Sequence, residues 1–305
     1  MFMRRDSLLI DLPEPRDADP DAGAALNEIL GGQFGEMSTL NNYMFQSFNF
    51  RDKHRLKPFH SLVASITAEE LGHVELVTTG ISLLNNGPPS AAPTAHPAKA
   101  PYAFMKEKRD VNGYVLGAGA GLPFDSNARP WNAHFVFHTG NLVLDLLHNF
   151  FVECGARMNK LRVYEMQTDP VGREVLGYLL VRGSVHAQAF ALALKKLTGV
   201  AIENMLPVPN ITHDGIPEAR KFEAEGRHRH LYRFSDRDYA DIAGIWSPDE
   251  TTYDKSGPLE VVDLPPDPGP ESLKAMEGSA SSFTPDYAPE EILEIARMLY
   301  GKAKG

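Results

Sequence analysis

Cysteine is nearly absent from these 305 residues: Cys154 stands alone, so no intrachain disulfide can form. No apolar run approaches the roughly 20 residues that cross a bilayer. Positive charge is scarce, with 30 Lys and Arg against 40 Asp and Glu and a net charge of −10. That balance disfavours nucleic acid or an anionic membrane surface as a partner. The opening stretch, MFMRRDSLLIDLPEPRD, is too broken by acids and prolines to read as a signal peptide. These shortages point to a cytoplasmic enzyme or carrier. With 43% hydrophobic and 23% charged residues, the chain suits one large globular domain or a domain with long appendages, and it can bury a substantial core.

Four long helical patterns are present. The first spans about 21–50, with Asp21 as its cap and Leu26, Ile29, Gln33, Glu36, Leu40 and Tyr43 recurring at three- and four-residue spacing. The second spans about 58–86, carries the stripe Leu62, Ile66, Glu70, His73, Val77 and Leu84, and stops at NNGPP. The third covers roughly 132–166, with Leu142, Leu146, Asn149, Glu153, Ala156 and Lys160 in line. The fourth covers roughly 170–198, opens at TDPVGRE with Pro170 in its first turn, and carries Leu176, Leu179, Gly183, His186, Phe190, Leu194 and Leu197.

Short links join the first helix to the second and the third to the fourth, whereas an Ala-, Pro- and Gly-rich stretch, 87–131, separates the pairs. Two helical hairpins joined by one long crossover make a ferritin-like four-helix bundle. The expected fold is therefore all-α, with an N-terminal arm at 1–20, the bundle at 21–200 and a mostly irregular C-terminal arm at 201–305. Proline-rich segments such as NMLPVPNITHDGIPEARKF and DLPPDPGP cannot form a core alone, so the arm is expected to wrap the bundle and neighbouring subunits. It ends in a short helix at 289–300 that starts on Pro289.

Every bundle helix carries an acid or an imidazole on its apolar seam: Glu36, then Glu70 and His73, then Glu153, then His186. Glu70 and His73 lie about 60° apart around one helix. An unpaired buried carboxylate costs several kcal/mol, and three in one core also repel each other. Two divalent cations relieve both problems, with room for a bridging hydroxide. Mixed carboxylate and imidazole ligands suit manganese or iron better than copper or calcium. The bland reading takes a lone Glu-x-x-His as coincidence and Glu36 and Glu153 as solvated helix-edge residues. The agreement of five ligand-type residues on four seams weighs against it. Lys160 lies two turns after Glu153 and Tyr43 two turns after Glu36. Either they hydrogen-bond near the metals and move protons, or the lysine snorkels to solvent and the tyrosine is plain core.

Other candidates fit less well. His148 lies about 140° around the helix from Glu153 and should face away. His134 and His138 have no obvious carboxylate partner, GRHRH at 226–230 reads as a solvated patch, and Cys154 as a buried, unreactive thiol.

The stretches GGQFGEMSTLNNYMFQSFNF, TAEELGHVELV, GNLVLDLLHNFFVECGARMNKLRVYEM and GYLLVRGSVHAQAFALAL resemble the manganese catalases. NMLPVPNI and FSDRDYADIAGIW extend the resemblance into the arm. It implies a ferritin-like enzyme, commonly a homohexamer, that converts hydrogen peroxide to water and dioxygen. Two manganese ions, joined by bridging water, hydroxide or oxide, would cycle between (II,II) and (III,III). Glu36 and His73 would be the terminal ligands of one ion, Glu153 and His186 those of the other, and Glu70 the bridge. Lys160 and Tyr43 match a lysine and a tyrosine beside the metals. Val152 stands where another branch has arginine, which places the chain in the lysine branch. Gly183 occupies the position where di-iron bundles keep a second Glu-x-x-His glutamate. Some relatives bind calcium at a subunit contact, but here Ser61 replaces the expected aspartate, so a calcium site is doubtful. A di-iron oxidase or peroxidase, and a spore-coat-like structural or metal-carrier protein, are the alternative functions on the same bundle.

Overall fold

The computed structural model describes residues 7–88, 116–117, 119–202, 212–269 and 289–303. It is a ferritin-like bundle whose first leg is broken in two: α1 (Pro20–Gly31) and α2 (Glu36–Phe48). The other legs are α3 (Lys57–Asn86), α4 (Leu142–Met166) and α5 (Pro170–Thr198). The limits have local causes. Asp169 caps α5 by accepting from the Val171 N–H at 2.9 Å, Pro170 follows at the first turn, and Gly199 closes the helix at φ 76°. Gly87, at φ 79°, ends α3.

The expected continuous helix over 21–50 is corrected by this break. An added Cβ on Gly35 would lie 2.8 Å from the carbonyls of Ile29 and Leu30, and one on Gly31 would lie 2.5 Å from the carbonyl of Phe124. The close approach of α1 and the end of the crossover is therefore possible only with glycine there. Asn27 Nδ2 donates to the carbonyls of Leu122 and Phe124, and Trp131 Nε1 to Ser38 Oγ, pinning the crossover across the break. Gln33 falls in the break and is exposed, off the seam. Asp19, not Asp21, caps α1, by accepting from the Ala22 N–H. The third helix starts at 142 rather than 132, because Asn141 caps it by accepting from Val143 and Leu144 and residues 133–135 form a separate 3-10 turn.

Beyond the bundle, α6 (Pro217–Ala224) packs on α5. A two-stranded parallel sheet follows, β1 (His230–Arg233) on β2 (Glu260–Asp263), paired from His230↔Glu260 to Arg233↔Asp263. This corrects the solvated-patch reading of 226–230. His230 begins a strand, the Arg227 guanidinium lies 5.2 Å from the Phe222 ring centre, and the Arg229 carbonyl accepts from Trp246 Nε1. The final helix, α7, spans Pro289–Ala303, and Leu293, Met298, Leu299 and Tyr300 on it are exposed. The expected segments 89–115 and 203–211 lie outside the described residues.

The core divides in two. One cluster gathers Leu26, Ile29, Leu76, Val77, Leu176 and Leu179. The other gathers Tyr43, Leu62, Ile66, Leu146, Phe150 and Phe190. Along α3 the first cluster resumes at Leu76 and the second stops at Ile66, and along α5 the same gap opens between Val181 and Val185. A polar layer fills it.

Candidate metal centre

Four helices contribute to that layer. Glu36 is the first residue of α2, where the helix dipole favours a carboxylate. Glu70 and His73 come from successive turns of α3, Glu153 from α4 and His186 from α5, and each is at most 1% exposed. His186 Nδ1 lies 2.7 Å from Glu70 Oε1 and 3.5 Å from Glu153 Oε1. His73 Nδ1 lies 3.3 Å from Glu70 Oε2 and 3.6 Å from Glu36 Oε2. The two rings are stacked with centroids 5.6 Å apart. Glu70, His73 and His186 each offer a ligand atom within 4.8 Å of the others, a group that could hold a metal ion.

Among the described residues, Glu153 Oε2 and both ring nitrogens of His186 are buried without a hydrogen-bond partner. His186 Nδ1 is thus close to Glu70 Oε1 without being aligned to it, which suits two atoms aimed at a shared cation. Buried carboxylate and imidazole atoms left unsatisfied in this way fit a metal far better than a structural hydrogen-bond network.

Two cationic or hydroxyl groups complete the inner wall. Lys160 is 2% exposed and its Nζ lies 2.8 Å from Glu36 Oε1, so it does not snorkel. Burial pushes its ammonium pKa down, yet Glu36, Glu153 and Glu70 together raise it above the usual lysine value. Tyr43 donates to Glu153 Oε1 at 2.7 Å, and burial followed by the Glu153 charge raises its phenol well above the ordinary value.

Gly183 faces the layer from α5. A Cβ there would lie 3.0 Å from Arg157 Cγ and 3.6 Å from Glu153 Oε2. The Arg157 stem thus takes the space a fourth inward carboxylate would need.

Three participants escaped the periodicity argument. Thr39 Oγ1 donates to Glu70 Oε2 at 2.8 Å and lies 3.3 Å from Glu36 Oε2. Glu69, next to Glu70, is equally buried. Its Oε1 lies 3.5 Å from His73 Nε2 and its Oε2 3.1 Å from His186 Nε2. Arg182 grips it from α5, Nε to Oε1 at 2.5 Å and Nη2 to Oε2 at 3.0 Å. Burial opposes ionisation of Glu69, but Arg182 and His186 hold its carboxyl well below the usual range. The available signal was an arginine one turn before His186, directly after the apolar run VLGYLLV of α5.

The remaining candidates stand apart. His138 does have a carboxylate partner, with Nδ1 3.2 Å from Asp145 Oδ2, which the sequence reading missed because the chain folds back before α4. His148 stacks on Phe137 with centroids 4.4 Å apart, and His134 lies in an exposed 3-10 turn. Cys154 is half-buried rather than buried, and burial pushes its thiol up to about 11, so it is unreactive at neutral pH. Ser61 Oγ lies 3.1 Å from both carboxylate oxygens of Asp241 and occupies them with a hydroxyl donor.

A ferritin-like bundle with a buried carboxylate–imidazole layer defines a class of metal-binding helical proteins. The particular family follows from comparison with known proteins. The model of manganese containing catalases matches residues 1–304, and the chain belongs to that family. It is 32% identical over 254 residues to the uncharacterized protein YjqC of Bacillus subtilis, covering 83% of this chain and 86% of that one. It is 32% identical over 185 residues to a manganese catalase of Bacillus subtilis, covering 60% and 66%. A manganese catalase of Lactiplantibacillus plantarum is 30% identical over 184 residues, covering 60% and 68%. In fold, the crystal structure of KatB, a manganese catalase from Anabaena, superposes with a TM-score of 0.54 at 20% identity, covering 87% of this chain and all of that one.

Proposed function

We propose that this chain disproportionates hydrogen peroxide to water and dioxygen at a dimanganese centre held by Glu36, Glu70, His73, Glu153 and His186. The observation that carries the reading is how Glu70 divides the polar layer. Its Oε2 faces His73 Nδ1 and Thr39 on the Glu36 side, and its Oε1 faces His186 Nδ1 on the Glu153 side. That division supports two ions, Glu36 and His73 serving one, Glu153 and His186 the other, with Glu70 bridging. When bound, the manganese pair supplies the redox change, (II,II) to (III,III) and back, so no external reductant is needed.

The protein's own residues carry the proton work. Reducing one peroxide to two waters takes up two protons, and oxidising a second to dioxygen releases two. Lys160, beside Glu36 Oε1, can hold a proton between the halves. Tyr43 fixes Glu153, and the two flanking apolar clusters keep the layer dry.

Protein from manganese-supplemented cells should release one dioxygen per two peroxides with no added reductant. Peroxide loss without dioxygen would shift the reading to a peroxidase or iron oxidase, and metal analysis would name the metal. No peroxide loss by metal-replete protein would make it a structural or carrier protein. The exposed Phe48, Phe151 and Leu144, and the apolar residues on α7, support a homo-oligomer, a hexamer by family resemblance. Within it the C-terminal arm would pack on neighbouring subunits. A monomer in sedimentation at micromolar concentration would refute that assembly. We place the working protein in the cytoplasm, on a chain whose single cysteine can form no intrachain disulfide.

A further inference from the structure

We propose that Glu69 and Arg182 are a positioning pair that couples docking of the C-terminal arm to metal retention. The inference rests on the metal-centre reading above. Glu69 is the one carboxylate, among the described residues, beside the outer nitrogens of both histidines, 3.5 Å from His73 Nε2 and 3.1 Å from His186 Nε2, close enough for its charge to act on both although neither contact is an aligned hydrogen bond. A carboxylate there favours the tautomer with the proton on Nε2 and leaves the Nδ1 lone pair for a ligand on the Glu70 side. One side chain therefore orients both imidazoles, and whatever holds Glu69 holds both.

What holds it is Arg182, and Arg182 is not held by the bundle alone. Its Nε and Nη2 clasp Glu69, while its Nη1 donates to the carbonyl of Arg227 at 2.6 Å and to that of His230 at 2.8 Å. The Tyr232 ring lies over the guanidinium, 4.1 Å from its carbon. Arg182 and Glu69 are at most 1% exposed, so no water can stand in for either partner without opening the core. Undocking residues 227–232 would strip two acceptors and a ring from a buried cation, loosening its grip on Glu69. Arm docking and metal binding thus share one buried side chain. Coupling between two equilibria is reciprocal, so bound metal must also strengthen arm docking.

The test uses the full chain with manganese(II) as the probe. Glu69→Gln keeps the side-chain shape, and the double variant Glu69→Gln with Arg182→Gln also removes the buried unpaired cation. Circular dichroism checks that each retains its helices. Loss of an outer partner of a metal-binding histidine lowers metal affinity by about 10–100-fold. We expect a loss of that size in both variants by competition with a chelator. Amide hydrogen exchange of residues 227–233 should slow on manganese addition in the wild type and respond little in the double variant. Wild-type affinity in the folded double variant, or exchange in 227–233 that ignores manganese, would overturn the coupling while leaving the metal centre standing. A wild type that takes up no manganese would overturn the metal-centre reading and the coupling with it.

Discussion

Replacing Lys160 by methionine keeps the aliphatic stem and removes the ammonium, so the apolar packing of the side chain is largely preserved. What is lost is the partner 2.8 Å from Glu36 Oε1 in a place where Lys160 is 2% exposed and Glu36 is fully buried. Removing one partner of a buried ion pair costs about 3–5 kcal/mol, because the other charge is left uncompensated. That penalty belongs to the metal-free chain. With metal bound, Glu36 has a second cation, so the same substitution should cost much less stability. A general acid or base contributes about 10²–10⁴-fold to a proton-transfer step. The expected pattern is threefold. Metal-free Lys160→Met melts well below the metal-free wild type, the manganese-loaded pair melt close together, and the loaded variant keeps its metal but loses dioxygen release by at least a hundredfold, the lower bound of that range. Calorimetry with and without manganese, metal analysis and an oxygen electrode read the three arms. Normal turnover in a metal-replete variant would remove Lys160 from the mechanism. Equal melting differences with and without metal would show that Glu36 does not feel the ion.

Three further expectations are cheaper to check. Tyr43→Phe deletes the 2.7 Å bond to Glu153 Oε1 and leaves a buried acceptor short of a donor, a loss of about 1–3 kcal/mol in chemical denaturation; unchanged stability and metal content would show the bond to be idle. Gly35→Ala puts a Cβ 2.8 Å from the Ile29 and Leu30 carbonyls, directly before Glu36, and should lower the manganese content of purified protein; full occupancy at wild-type melting temperature would deny the break any role. In the metal-free chain burial pushes the His73 pKa down, but Glu70 foremost, with Glu36 and Glu69, raises it to about 10. A folded value above the unfolded one of about 6.5 gives stability that is complete below about pH 6.5 and lost as pH rises through about 10. Metal-free protein should therefore lose melting temperature from pH 7 to 10 while manganese-loaded protein, whose ion replaces that proton, loses less; parallel curves would refute the assignment.

By itself the sequence determined the parts that depend on neighbours along the chain. Pro170, Gly87 and Gly199 set the limits of α3 and α5, because proline starts and left-handed glycine stops a helix whatever surrounds it. The 3.6-residue period put Glu36, Glu70, His73, Glu153 and His186 on inward stripes, since a helix fixes which of its own residues share a face. The structure brings those five to one layer. Only the tertiary structure could decide what lies opposite each residue. Glu69 points about 100° away from Glu70 and would read as a solvated acid, until Arg182 on α5 and the arm's carbonyls meet it there. The break at 32–35 is hidden for the same reason: Gln33 keeps the period, and the backbone that leaves no room for a Cβ at Gly31 is that of residue 124, far along the chain. His138 and Asp145 likewise meet only once the chain turns into α4. A periodic pattern specifies directions around one axis; the charge, carbonyl or ring waiting in each direction is supplied by packing between axes.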